Sequence, residues 1–129
     1  MRTHGCDASV TAGRLAKARQ FADAAHDVQA LANEATDVAD AFVTLAVHAG
    51  IAAADVICCV RLGRHARGEN HNDAVDLLAR ADQDASRHLR ALLHLKTRAG
   101  YSATPVSSLD RVRAERAMDA LVDLARTVA

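Results

Sequence analysis

The chain has 129 residues, enough for one domain with a sizeable core and too few for two of ordinary size. Its 16 Lys and Arg balance 16 Asp and Glu, which excludes a whole-molecule field that would draw it to nucleic acid or to a membrane surface. Any such attraction has to be local.

Gly and the single proline, Pro105, fall almost only where helices would end, the punctuation of an all-α protein. The spacing predicts an up-and-down bundle of four to five helices in a single domain, 1–129. The first helix is expected from about Ser9 or Thr11 to Asn33, with Leu15, Ala18, Ala22, Ala25, Val28 and Ala32 inward and Arg14, Lys17, Asp23 and Asp27 solvated. The second runs from about Asp37, capped by Thr36, to Leu62, where Gly63 supplies a left-handed end. At 1.5 Å per residue it is about 40 Å long and forms the axis of the bundle.

The stretch AFVTLAVHAGIAAADVICCV within it, Ala41 to Val60, is apolar all round yet carries His48 and Asp55. Seven residues place these two on one face, so both are expected to be buried polar groups with partners on neighbouring helices. For Asp55 the readings are a structural hydrogen-bonding group and a catalytic carboxylate. The stretch is long enough to cross a bilayer, but its alanines are nearly neutral and Asp55 would be expensive there, so no membrane span is expected. Instead a helix with so wide an apolar face predicts a twofold homodimer that completes its burial.

A short third helix is predicted over about Asn72 to Ala81, with Val75, Leu77 and Leu78 inward. A fourth covers about Asp84 to Ala99, buries Leu89, Leu92 and Leu93, and stops at Gly100. The fifth begins at Ser107, with Asp110 three residues on in the manner of a capping box, and turns Leu109, Val112, Leu121, Ala125 and Val128 inward.

The cysteines, Cys6, Cys58 and Cys59, are odd in number, and adjacent positions on one helix point about 100° apart, a poor geometry for a bridge. Reduced thiols are therefore expected. The N-terminal MRTHGCDASV has no apolar core and does not resemble a secretory signal, which predicts a cytoplasmic location. No C-x-x-C or H-x-x-x-H occurs, so neither a metal site nor any other cofactor is expected. An apolar setting should raise the pKa of Cys58 and Cys59 rather than activate them.

The loop RLGRHARGENH, residues 61 to 71, sets Arg61, Arg64, His65, Arg67 and His71 against the single Glu69. Guanidiniums match phosphate oxygens in pairs, and the next helix offers free N–H groups at its start, so these residues are candidate phosphate ligands. They also suit a second role, capping the C-terminal end of the second helix. Arg64 with His71, and Arg87 with His94, have the spacing of Arg/His pairs in metal-independent ribonucleases, where Arg stabilises charge and His moves a proton.

The Ala-rich helix LAVHAGIAAADVICCVRLG, the segment RHARGENHNDAVDLL and the segment LLHLKTRAGYS before a final long helix together resemble a HEPN domain over about residues 35 to 129. Lys96, Ala99 and Tyr101 are similar to the K-x-x-A-D-Y or K-x-x-A-H-Y signature of compact bacterial members, with Gly100 in place of the Asp or His. The resemblance implies a helical bundle that binds a nucleotide or RNA phosphate or a partner protein, and adds Lys96 and Tyr101 to the candidate phosphate ligands. It also implies a dimer, and a nucleotidyltransferase partner in a toxin–antitoxin pair. HEPN ribonucleases carry R-N-x-x-x-H near the start of a late helix, whereas this chain reads Lys96, Thr97, Arg98, Ala99, Gly100, Tyr101. A non-catalytic member is therefore the expectation, with a ribonuclease using Arg64 and His71 or Arg87 and His94 as the alternative.

Overall fold

A computed structural model describes residues 1–68 and 70–129; Glu69, the acidic residue of the basic loop, lies outside them. Among the described residues the architecture is an all-α bundle of five helices: α1 (Ala8–Leu31), α2 (Ala39–Leu62), α3 (His71–Ala81), α4 (Gln83–Tyr101) and α5 (Ser108–Val128). A 3-10 turn, Ala35–Val38, leads into α2. Two three-residue strands, β1 (Thr3–Gly5) and β2 (Arg64–Ala66), pair antiparallel at one end.

Local chemistry sets the helix ends. The Asp7 carboxylate accepts the Val10 N–H at 2.9 Å, so α1 starts earlier than expected, with Ser9 and Thr11 inside it. Thr36 lies within the 3-10 turn, and α2 begins with no side-chain cap. Gly63 ends α2 in the left-handed region at φ 75°, its N–H donating to the Cys59 carbonyl. Asn70 caps α3, Asp82 caps α4 and Ser107 caps α5, each side chain accepting the N–H three residues on. Gly100 does not stop α4, which continues to Tyr101.

Helix α2 forms the core. Fourteen of its 24 residues are buried, against α1, α4 and α5. Phe42 and Ile57 are fully enclosed, each stabilising the fold by roughly 1.5–3 kcal/mol. Close approach is possible because the helix is built from small residues: a Cβ at Gly50 would collide with Leu92 Cδ1 and sit 3.4 Å from Leu121 Cδ1. The segment Ala35–Leu62 has the length and mean hydropathy, 2.0, of a membrane span, but 67% of its most apolar window is buried inside the bundle. One chain thus encloses about two thirds of that window.

The inward faces of α3 and α4 are as expected, with Val75, Leu77, Leu78, Leu89, Leu92 and Leu93 all buried. Leu109 is a correction: it is 58% exposed, because the first turn of α5 projects past the helices that cover Ala114 onward. The Val106 N–H donates to Asp40 Oδ1 at 2.9 Å, tying the loop before α5 to the start of α2.

Candidate functional site

At the C-terminal end of α2 the turn at Gly63 sends the chain back as β2, too short for a two-residue alternation to be read in sequence. β1 pairs with it in the register Thr3 to Ala66, His4 to His65 and Gly5 to Arg64. His4 and His65 are therefore cross-strand neighbours, their ring centroids 5.5 Å apart. The Arg67 N–H donates to the Arg2 carbonyl at 2.9 Å and the Cys6 N–H to the Gly63 carbonyl at 3.0 Å, extending the pairing at both ends.

This hairpin brings Cys6 beside Cys59, with Cα atoms 5.5 Å apart and a disulfide between them. The expectation of three reduced thiols holds only for Cys58. It failed because it considered the neighbours Cys58 and Cys59, whereas the partner comes from 53 residues away. Cys58 is buried, and burial, with the nearby Asp55 charge, pushes its thiol up to about 12. Iodoacetamide at pH 8 should accordingly leave it unlabelled in the folded protein and label it after denaturation. Labelling of the native protein at the rate of a free thiol would contradict this burial.

Asp55 lies one helical turn before Cys59. Its Oδ2 accepts Arg14 Nε–H at 2.9 Å, while Oδ1 is 3.8 Å from His65 Nδ1. His65 Nδ1 instead contacts the carbonyl of Ala66 at 2.9 Å. The Asp55 side chain is 15% exposed. Burial raises its pKa above the ordinary value, and the charges of Arg14 and His65 oppose that rise only in part. The structural reading of Asp55, pairing with Arg and His from neighbouring elements, thus matches its contacts. Arg14, expected on the solvated face of α1, reaches back to it. His48 is corrected: it is exposed, with only Phe21 stacked near its ring at 5.5 Å.

Around Asp55 opens a two-lobed cleft whose halves share Ile51, Asp55, Ala66, Gly68 and Ala74. One lobe, about 210 Å³, is walled by Ala54, Cys58, Leu89 and Leu93, with His71 and Lys96 as its charged or titratable edge. The other, about 340 Å³, is lined by His4, Arg14, His65 and Arg67. Sequence reasoning named His65, Arg67, His71, Lys96 and Asp55 but missed His4 and Arg14. Only the tertiary pairing of the N-terminus with the basic loop reveals those two. In charge terms the described residues of the cleft set one carboxylate against six side chains that are cationic or can become so.

The remaining candidates lie elsewhere. Arg61 donates to the Ala81 carbonyl at 3.1 Å and to Asp82 Oδ2 at 3.0 Å, so it caps α3 rather than α2. The Ala85 N–H and Arg61 hold the Asp82 carboxyl below its usual range. Arg64 is half-buried on β2, where strand alternation turns it away from His65, and it lines neither lobe. Tyr101 is 82% exposed and shares a separate hollow with His48 and Lys96. Arg87 lies 3.7 Å from Asp84 on the surface. His94 instead lines a groove of about 340 Å³ with His71 and Arg90. In this groove both histidines stand beside Arg90, with neither Arg64 nor Arg87 among its lining residues. Comparison with family models, with curated proteins and with solved structures finds no match for this chain.

Proposed function

We propose that the chain is a non-catalytic, HEPN-like helical module that binds a nucleotide or an RNA phosphate in the two-lobed cleft. The observation that carries this reading is the cleft's division of labour. The lobe lined by His4, Arg14, His65 and Arg67 suits phosphate oxygens, while the adjoining hollow of Ile51, Ala54, Leu89 and Leu93 suits an apolar ring. Arg14 already neutralises Asp55, which leaves His4, His65 and Arg67 for an anion. The HEPN resemblance further implies a twofold pair and a nucleotidyltransferase companion.

Replacing His4 and Arg67 together by alanine is expected to weaken binding of adenosine monophosphate roughly tenfold and to lessen its salt dependence, because fewer charges are then left for salt to screen. Both side chains lie at the surface of the hairpin, so the fold should survive. Unchanged affinity in the double variant would remove the cleft from consideration.

The groove of His71, Arg90 and His94 favours a second reading, a metal-independent ribonuclease, since two imidazoles and a guanidinium can move protons and hold a phosphodiester. The non-catalytic reading expects RNA to stay intact with the purified protein in the absence of metal. Cleavage lost in His71→Ala or His94→Ala would establish the ribonuclease instead.

A further inference from the structure

The carboxylate of Asp55 stands where the two lobes meet, so a ligand with its phosphate among His4, His65 and Arg67 and its ring against Leu89 and Leu93 must pass beside it. One of its oxygens, Oδ2, is satisfied by Arg14 at 2.9 Å. The other, Oδ1, has His65 Nδ1 no closer than 3.8 Å and no hydrogen bond among the described residues. This oxygen is open to solvent, and a ring seated in the lobe displaces that water, so only a ligand with an N–H at this point restores the hydrogen bond. The apolar lobe, at about 210 Å³, is smaller than the roughly 300–1,000 Å³ of pockets that enclose whole small molecules, so it admits a single ring system.

We infer that Asp55 selects the base of the bound nucleotide: the ring in the apolar lobe carries an exocyclic amino group, and Oδ1 of Asp55 accepts its N–H. This rests on the nucleotide-binding reading above and adds to it the class of base. A ring with a carbonyl at the same position turns an oxygen toward the ionised carboxylate, and its nearest donor is the N–H of the adjacent ring nitrogen, one atom away from where the amino group would stand. Lys96 stands at the rim of the same lobe as a donor and accepts no hydrogen bond, so it complements ring nitrogens and carbonyls and does not compete for the amino group. Selection by an unpaired polar group is steep, because the wrong ligand leaves that group buried and unsatisfied.

The test is calorimetric titration of the full chain with four monophosphates, adenosine against inosine and cytidine against uridine, which differ in the exocyclic group and in the proton on the ring nitrogen beside it, alongside inorganic pyrophosphate. The amino-bearing member of each pair is expected to bind at least roughly tenfold tighter. Asp55→Asn, whose amide can donate as well as accept, should bring both ratios to within about twofold, while pyrophosphate, which has no base, should bind at least as tightly because a repelling charge that also occupies Arg14 is gone. Equal affinities within both pairs in the unaltered protein would overturn the selection and leave nucleotide binding standing. Ratios retained in a folded Asp55→Asn protein would assign the selection to another residue and overturn the role of Asp55. Failure of all four nucleotides and of pyrophosphate to bind would overturn this inference together with the reading beneath it.

Discussion

Replacing Cys6 by serine is expected to lower the melting temperature by roughly 10–15 °C. The bridge to Cys59 closes a loop with a sequence separation of 53. In the chain-entropy account such a loop restricts the unfolded ensemble by about 4 kcal/mol, and a domain of this size melts with an entropy that converts this into the stated shift. Adding a thiol reductant to the unaltered protein should give the same drop, whereas Cys58→Ala, which leaves the bridge in place, should show only the smaller effect of a truncated core side chain. A melting temperature indifferent to reductant would show that the bridge contributes nothing. Because His4 lies on the strand that Cys6 anchors, the serine variant should also bind nucleotide more weakly than its residual stability alone explains.

The second large effect concerns the pair of Arg14 and Asp55, whose two halves should behave differently. Arg14→Met leaves a mostly buried carboxylate with His65 at 3.8 Å as its nearest charge, and removing one partner of such a pair destabilises by about 3 kcal/mol. Asp55→Asn should not. The folded pKa of Asp55 is raised above its ordinary 3.8, so the fold prefers the protonated form. That preference is a stabilising contribution fully present below the unfolded value and lost as pH rises through the folded one. Above the folded pKa the ionised group has lost it, and there asparagine, which resembles the protonated acid, should hold or raise the melting temperature. Arg14, 27% exposed, can turn its guanidinium to water. The advantage of the variant should shrink as pH falls toward 4. Introducing Asp55→Asn into Arg14→Met should restore most of the loss; a double variant as unstable as Arg14→Met alone would place the destabilisation in packing rather than in the stranded charge.

The bundle was legible in the sequence because helices advertise themselves over long stretches. The three-and-four spacing of Ala18, Ala22 and Ala25, the left-handed Gly63 and the Ser107 cap are local signals, and local forces act on them. Periodicity, however, gives the direction of a face and not what covers it. His48 and Asp55 share a face of α2, yet Arg14 and the hairpin close over Asp55 while His48 stays open to solvent. Strands of three residues carry no readable alternation, so β1 and β2, the cross-strand histidines and the disulfide were all hidden. Half of the cleft was visible as a basic loop. The other half came from His4 and Arg14, whose roles depend on a contact between the chain's first residues and its middle.

The disulfide also divides the molecule kinetically. The covalent ring from Cys6 to Cys59 contains α1 and nearly all of α2, and β1 holds β2 against it, so the cationic lobe belongs to the tied half. The walls Leu89 and Leu93 belong to α4, and His71 and Ala74 to α3, which can lift away without breaking the ring. Amide hydrogen exchange should therefore be slowest in α2 and faster in α3 and α4. A ligand seated in both lobes would slow exchange chiefly in α3 and α4, where opening is easiest.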